Sequence, residues 1–301
     1  MDDVTYQIHW LSVTIFAERE DAFTLYSNLF EDTFGKLQEL GCGGRSFKEI
    51  FHNALEFKIY MSPKNISMRE YWNIEIPGRA CECISNNHFL ALGDYLESNF
   101  KNRYKFVRLD FALDHVPFTP EEAYKEIDEG RVRSLAKRET LKLTSSSKKP
   151  RDNGVMGTST TELGANTSTR MVTIYNKRGD TRFEFQMRED RADIVAKQLL
   201  LSKDDSEWFR ISISHIRDFI DFRTDWWNQF VNGNARAELT LSKPRDISMN
   251  KLMHWINKQV SPALSVATDI LPKEEMDKIV ETGRKRRGSQ YDLLLNGQNL
   301  E

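Results

Sequence analysis

The sequence predicts an α+β fold, in which an antiparallel sheet carries helices on one face and leaves the other face polar. Three observations lead to this expectation. The 301 residues include 18 Phe, 9 Tyr and 6 Trp, enough aromatic material for a core. Strand and helix patterns alternate as strand, helix, strands, helix and then strands, helices, strand, helices. A strand signature also recurs along the chain, which suggests an internal duplication.

The first hundred residues contain three strand patterns and two helix patterns. Alternating apolar residues predict a strand over Tyr6–Phe16, and helical spacing predicts one long helix over Glu18–Leu40. Further strands are expected within Phe47–Tyr60 and Tyr71–Ile76, and a second helix over Asn87–Phe100. A helix therefore separates the first strand from the strands that follow it.

The middle of the chain continues with a strand over Arg103–Asp114. Thr119 followed by Pro120 then marks a helix start, with an N-cap and a proline at the first helical position. Leu141–Gly157 is basic and poor in apolar residues, so it is predicted to be a loop. The remaining patterns predict strands at 158–163, 170–177 and 181–188, helices at 189–202 and 206–222, a strand at 235–242, and helices from Ser248 to residue 282.

The recurring signature is Arg, apolar, carboxylate, apolar, small or polar, apolar. It occurs at Arg108–Leu113, Arg182–Met187 and Arg236–Leu241. Because side chains alternate across a strand, the apolar members face the helices and the charged members share the other face. By the same alternation Val172 and Ile174 face the core, whereas Tyr175 and Lys177 lie on the polar face. Cross-strand ion pairs on a solvated sheet would explain this pattern without any function.

Composition excludes several classes of protein. Mean hydropathy is -0.58, and no apolar run approaches the roughly 20 residues that a membrane-spanning helix requires. Cys42, Cys81 and Cys83 are too few for a disulfide framework and lack a zinc-binding spacing, so we expect free thiols. The first residues are acidic and lack the apolar segment of a signal peptide. We therefore expect a cytoplasmic protein.

Charge is distributed unevenly although the formal net charge is only -2. Residues 1–60 hold five basic and ten acidic residues, whereas residues 131–191 hold fourteen Lys or Arg and seven Asp or Glu. A basic zone of this size matches the footprint that a phosphate backbone requires. A well-solvated surface without a partner explains it equally simply, so charge alone leaves nucleic-acid binding open.

The segment Thr169–Lys177, followed at once by Arg182–Arg188, resembles the Rep_trans (pT181-like) family of plasmid and phage rolling-circle replication initiators. In that family a segment of the form R-x-Y-[ND]-K carries the nicking tyrosine, and an R-[FV]-E strand follows. Weaker similarities occur in the family's order at His9–Thr14, Glu75–Cys81 and Val107–Asp114. The resemblance covers residues 6–200.

This resemblance implies site-specific nicking and rejoining of DNA by a tyrosine. Tyr175 would attack a phosphodiester, forming a 5′-phosphotyrosine and a free 3′-OH primer, and Lys177 would assist it through its charge. Asp110, Glu184 and Asp114 would hold a divalent cation, Mg²⁺ or Mn²⁺, because hard oxygen ligands suit these ions. The other class of rolling-circle initiator uses a His-hydrophobic-His motif, and none of the six histidines has that spacing.

The resemblance also implies contacts to origin DNA, either double-stranded or extruded as a hairpin or cruciform. Candidate phosphate ligands are Arg108, Arg170 and Arg182 on strands, and Lys148, Lys149 and Arg151 in the predicted loop. Trp226 and Trp227 are expected to be core residues rather than stacking platforms for an unpaired base.

Domains and partners follow from the extent of the resemblance. We expect a nicking region over residues 1–204, a region over 205–283 that completes the fold and recognises the origin, and a flexible basic tail over 284–301. The family implies a homodimer and a PcrA-type host helicase as partners. A relaxase of an integrative conjugative element, a non-catalytic DNA-binding regulator of the same fold and an RNA-binding sheet protein remain alternatives.

Overall fold

The computed structural model describes residues 4–64, 70–146, 157–177, 179–231, 233–236, 253 and 256–286. The chain divides into two compact units, Met1–Leu239 and Thr240–Glu301. The first unit contains every strand that is described below. The predicted boundary after residue 204 therefore falls inside this unit, whose helices continue beyond it.

The described part of the first unit contains twelve strands and eight α-helices. The strands are β1 (Thr5–Ile15), β2 (Gln38–Leu40), β3 (Phe47–His52), β4 (Lys58–Pro63), β5 (Trp72–Ile76), β6 (Tyr104–Asp114), β7 (Val132–Ser134), β8 (Lys142–Ser145), β9 (Ser159–Leu163), β10 (Arg170–Lys177), β11 (Asp180–Arg188) and β12 (Ile220–Phe222). The helices are α1 (Arg19–Leu29), α2 (Glu31–Phe34), α3 (Gly78–Cys81), α4 (Asn86–Phe100), α5 (Pro120–Asp128), α6 (Glu189–Leu200), α7 (Trp208–Phe219) and α8 (Asp225–Val231).

Ten of these strands form one antiparallel sheet in the order β2-β3-β4-β5-β1-β6-β11-β10-β9-β8. Strands β7 and β12 pair separately. The predicted α+β class with an antiparallel sheet is thus confirmed. The sheet also has two similar halves: β1-α1-β3-β4-β5-α4 and β6-α5-β9-β10-β11-α6 follow the same order of elements, and β1 and β6 pair at the centre.

The described copies of the recurring strand signature lie within one sheet, but they are not the equivalent strands of the two halves. Two of its copies are β6 and β11, which are neighbours within the second half. The third copy begins at Arg236, and residues 237–250 lie outside the described residues, as does the predicted strand at 235–242 beyond Arg236. The two halves therefore share their topology. The signature occurs in two adjoining strands whose apolar side chains face the same core.

One core fills the space between the sheet and its helices. Leu109, Phe111, Phe183 and Phe185 are fully buried there, as strand alternation predicted. Burial of each such side chain contributes about 1.5–3 kcal/mol of folding free energy. Trp227 is also fully buried, which confirms it as a core residue.

Two predicted elements near the N-terminus are divided in the structure. The segment Glu18–Leu40, predicted to be one long helix, forms the two helices α1 and α2. Helix α2 ends at Phe34, and the last residues of the segment form strand β2. Gly35 adopts φ +73°, a conformation that favours glycine and stops the helix. The single strand expected within Phe47–Tyr60 is the hairpin of β3 and β4, because the side chain of Asn53 accepts two backbone hydrogen bonds and closes a turn.

The predicted loop over Leu141–Gly157 also begins as a strand. Residues Lys142–Ser145 form β8 and pair with β9 at the edge of the sheet. Polar residues tolerate this position because β8 is exposed throughout. Residues 147–156 lie outside the described part of the chain.

The second unit contains, in its described residues, a π-helical turn at Ile256–Val260 and helices α9 (Ser261–Ile270) and α10 (Lys273–Lys285). These helices agree with the helical run predicted up to residue 282, although its expected start at Ser248 is outside the described residues. Across the described residues of both units, no helix is long and apolar enough to span a membrane.

Candidate active site

Tyr175 lies on the polar face of β10 and contacts a carboxylate of the adjoining strand. Its Oη donates a hydrogen bond to Oε1 of Glu184 on β11, with 2.6 Å between the two oxygens. The side chain is partly exposed, whereas its neighbour Ile174 is fully buried in the core. Alternation along β10 therefore presents the phenol on the side of the sheet away from the helices, as predicted.

His9 approaches the same carboxylate from β1. Its Nδ1 lies 3.2 Å from Glu184 Oε1. The register between β1 and β6 shifts between Ile8 and Trp10, so His9 is the extra residue of a β-bulge, a feature that re-aims a side chain. A side chain at Gly78 would overlap the His9 ring, so a glycine is needed beside it.

Arg182 is buried beside Glu184 and Glu82. It is 1% exposed, and its Nε and Nη2 each donate a 2.5 Å hydrogen bond to the carboxylate of Asp114 on β6. The third guanidinium nitrogen, Nη1, has no hydrogen-bond partner among the described residues and lies 3.7 Å from Glu184 Oε1 and 3.8 Å from Glu82 Oε1. A buried positive charge thus lies beneath both acids.

Lys177 lies two residues beyond Tyr175 on the same face. Its Nζ donates a 2.8 Å hydrogen bond to Oε1 of Glu82, which follows helix α3. The hydrogen bond and charge of Lys177 hold the pKa of Glu82 below its ordinary value. Glu82 is a residue that sequence reasoning missed, because only the folded chain brings α3 to β10.

Asp110 is buried next to this group and is held by Arg108. The guanidinium of Arg108 donates from Nε to Oδ1 at 3.0 Å and from Nη2 to Oδ2 at 2.6 Å, and Gln186 Nε2 donates to Oδ2 at 3.3 Å. Arg108 also lies over the ring of Trp10, 4.0 Å from its centroid. The cation–π contact and the ion pair together fix its guanidinium.

The electrostatics of the site disfavour spontaneous ionisation of the phenol. Burial, followed by the hydrogen bond and negative charge of Glu184, raises the pKa of Tyr175 above its ordinary value, and the charge of Arg182 offsets part of that. Burial also raises the pKa of Glu184. The pKa of His9 falls to about 4 because of burial and the charges of Arg182 and Lys177. A phenol with a raised pKa needs a proton acceptor in order to attack.

Two of the three predicted cation ligands, Asp110 on β6 and Glu184 on β11, lie on the same face of adjoining strands. Burial raises the pKa of Asp110, and repulsion from the negative charge of Glu184 adds to that rise. Neighbouring desolvated carboxylates suit a divalent cation, which would relieve this repulsion. Both oxygens of Asp110 accept hydrogen bonds from Arg108, just as both oxygens of Asp114 accept them from Arg182. In the described ranges, no group of three or more His, Cys, Asp or Glu side chains is arranged around a metal position.

The residues that were predicted to contact DNA lie in different parts of the structure. Arg108 and Arg182 lie on the polar face, but Arg170 lies on the helix-covered face with Val172 and Ile174. There it donates a 2.6 Å hydrogen bond to Asp218 of α7, so it does not belong to the Tyr175 site. The alternation of side chains along β10 already predicts that Arg170 lies on the same face as Val172 and Ile174. Lys148, Lys149 and Arg151 lie outside the described residues.

Comparisons with known proteins agree with this fold. The rolling circle replication initiator protein from Geobacillus stearothermophilus has a similar structure, with a TM-score of 0.57 and 19% sequence identity over 79% of this chain and 100% of that one. No curated protein matches the sequence. The model of the Rep_trans family, described as replication initiation factor, matches residues 104–282, which is more than half of the chain. The chain therefore belongs to the Rep_trans family of replication initiation factors, as its motifs indicated.

Proposed function

We propose that this replication initiator nicks and rejoins one strand at a plasmid or phage origin, with Tyr175 as the nucleophile. The observation that carries the proposal is the 2.6 Å hydrogen bond between Tyr175 and Glu184 on an accessible face of the sheet. Rolling-circle initiators are generally enzymes of the nickase type, which agrees with this geometry. The protein would act in the cytoplasm of a bacterial host.

Glu184 is the proton acceptor in this proposal. The phenol proton passes to the Glu184 carboxylate as Tyr175 Oη bonds to phosphorus, and the bond from phosphorus to the 3′ oxygen breaks. The 3′ oxygen takes a proton from solvent and becomes the 3′-OH primer, while the 5′ phosphate stays on the tyrosine. A raised pKa suits Glu184 to this role, because a stronger base accepts the phenol proton more readily. Rejoining reverses these steps.

His9 holds the acceptor in position. Its Nδ1 approaches the same oxygen that accepts the tyrosine hydrogen bond, so the three side chains form a series of nucleophile, base and orienting group. Lys177 and Arg182 add positive charge beside this series. That charge favours both the negative phosphate and the phenolate that develops during attack.

Asp110 and Glu184 are the residues that would hold Mg²⁺ or Mn²⁺. A cation bound there would neutralise charge on the scissile phosphate and stabilise the departing 3′ oxygen. Asp114 would instead support the site through Arg182, which it anchors with two hydrogen bonds. Arg108 and Arg182 remain the proposed phosphate contacts of this face.

The wider assembly follows from the proposed activity. Origin DNA would be the substrate, in duplex, hairpin or cruciform form, and a homodimer and a PcrA-type helicase are the proposed partners. The region 205–283 is proposed to contribute to origin recognition.

The test is incubation of the protein with a supercoiled plasmid that carries its origin, in the presence of Mn²⁺. We expect nicked circles and a detergent-resistant protein–DNA adduct from the unaltered chain, and neither product from Tyr175→Phe. An adduct that persists in Tyr175→Phe would refute the assignment of the nucleophile. Retarded DNA without cleavage by the unaltered chain would support a non-catalytic regulator instead.

A further inference from the structure

A cavity of about 270 Å³ lies beside the small β7–β12 sheet, away from Tyr175. Three arginines line it: Arg133 on β7, Arg138 and Arg223. Its remaining wall is mainly apolar and includes Ile127, Val132 and Leu163. Leu163 belongs to the core on the helix-covered side of the sheet, whereas Tyr175 projects from the other side. The cavity is therefore separate from the candidate active site.

None of the three arginines has an acidic partner within the described part of the chain. Arg133 reaches only a backbone oxygen, donating from Nη1 to the carbonyl of Asp218 at 3.4 Å. The guanidinium of Arg138 packs against Gly130, where any side chain would overlap it. Arg138 and Arg223 are exposed and Arg133 is partly exposed, so all three are accessible to an anion that enters the cavity.

Two aspartates near the β7–β12 sheet are already engaged by other arginines. The Asp218 carboxylate accepts a hydrogen bond from Arg170, and Arg191 lies 3.9 Å away. Asp221 lies opposite Arg133 in the β7–β12 register, but its carboxylate is bound by Arg217, Arg236 and Trp227. Neither carboxylate therefore forms an ion pair with Arg133.

We propose that the cavity formed by Arg133, Arg138 and Arg223 binds a backbone phosphate of origin DNA, at a site distinct from the one that is cut. Guanidinium groups match phosphate oxygens as paired donors. The volume is slightly below the range of about 300–1,000 Å³ that is typical of drug-sized ligand sites, so it suits one phosphate with its sugar. The apolar wall would contact that sugar. The choice of DNA rests on the proposed function, whereas the affinity for phosphate rests on the arginines alone.

The test measures DNA binding in a chain that cannot cut. Full-length Tyr175→Phe protein and the same protein with Arg133→Ala, Arg138→Ala and Arg223→Ala are titrated into a fluorescein-labelled duplex oligonucleotide at several salt concentrations. We expect the triple substitution to weaken binding at least about tenfold. It should also make the slope of log affinity against log salt shallower by about 0.9, because one phosphate contact is lost.

A matched variant controls for total charge and folding. Lys36→Ala, Lys101→Ala and Arg210→Ala remove three exposed charges outside the cavity, and we expect a much smaller change in the salt slope. Thermal unfolding of each variant checks that the fold is intact. Should the arginine variant and this control have the same affinity and slope, the proposal is overturned.

Competition distinguishes the possible sources of phosphate. We expect neither inorganic phosphate nor a deoxynucleoside monophosphate to match unlabelled duplex as a competitor, because a duplex carries many phosphates and contacts the protein at more than one of them. Tight binding of the mononucleotide, lost in the triple variant while duplex affinity is unchanged, would refute the assignment to DNA. Nicking is measured separately with Tyr175 restored: if even the unaltered chain does not nick, the proposed function fails, but the binding result for the cavity stands.

Discussion

Tyr60 donates a hydrogen bond to Glu75 between strands β4 and β5, with 3.3 Å between Oη and Oε1. The pair has the same register as Tyr175 and Glu184 in the other half of the sheet. In both halves the tyrosine lies two residues along its strand from the residue that pairs with the glutamate. The duplicated topology therefore provides two equivalent Tyr–Glu pairs on one face of the sheet.

The surroundings of the two pairs differ. Tyr60 is 4% exposed and packs with Phe47 and Tyr71 in a small second cluster, and Arg45 forms an ion pair with Glu75. Burial and the charge of Glu75 raise the pKa of Tyr60 to about 12. Tyr175 has no such cover and is partly exposed. The first pair is thus suited to packing, and the second to contact with a substrate.

Tyr60→Phe is consequently the matched control for Tyr175→Phe. We expect Tyr175→Phe to abolish the covalent adduct and Tyr60→Phe to retain it. Loss of the Tyr60 hydroxyl leaves Glu75 with one donor fewer and should cost about 1–3 kcal/mol of unfolding free energy. Urea denaturation and adduct formation measure the two effects. Loss of the adduct in a folded Tyr60→Phe protein would contradict this division of roles.

Glu184→Gln tests the proton acceptor. The amide keeps the size of the side chain but cannot take the phenol proton, so we expect nicking to slow by about 10²–10⁴-fold with little change in DNA affinity. Glu162→Gln, on the polar face of the neighbouring strand β9, is the control and should retain the rate. Equal rates for Glu184→Gln and the unaltered chain would argue against Glu184 as the base.

Alternation within single strands predicted much of the site. It placed Tyr175 and Lys177 on one face and Phe183 and Phe185 on the other, and the structure agrees. It also implied the position of Arg170, which shares its parity with Ile174 and should have been excluded from the polar face. These inferences succeed because a period of two is a local property of the strand.

The partners of these residues could not be predicted in the same way. The Arg182–Asp114 ion pair depends on the register between β6 and β11, which joins residues 68 positions apart. His9 reaches Glu184 because of a β-bulge that no local sequence pattern predicts. Glu82 reaches Lys177 only after α3 folds beside β1. Such contacts are decided by tertiary pairing rather than by local sequence.

Asp110→Asn and Asp114→Asn should separate cation binding from support of the fold. We expect a chelator to stop nicking by the unaltered chain, and Asp110→Asn to raise the Mn²⁺ concentration needed for half-maximal nicking. Asp114→Asn removes the carboxylate that accepts two hydrogen bonds from the buried Arg182, so it should cost about 3 kcal/mol of unfolding free energy. Nicking titrated with Mn²⁺ and urea denaturation report the two effects. A reversed pattern, with the cation requirement shifted by Asp114→Asn alone, would reassign the ligands.

Acid should destabilise the fold through the buried His215 and the partly buried His9. Burial lowers the pKa of His215 and of His9 to about 4 in the folded chain, whereas an unfolded histidine titrates near 6.5. Between these values the unfolded chain binds protons that the folded chain does not, so stability is present above pH 6.5 and is lost as the pH falls towards 4. Each histidine should contribute a loss of about 2 kcal/mol between pH 7 and pH 5.

His215→Gln isolates one of these contributions. The amide can still bond to Gln198, the present partner of the ring, but it does not titrate. We expect the stability lost between pH 7 and pH 5 to shrink by about 2 kcal/mol in this variant, as measured by urea denaturation at both pH values. If His215→Gln retained the full loss, the acid sensitivity would have to originate in other groups, because the buried ring would then carry no penalty for protonation.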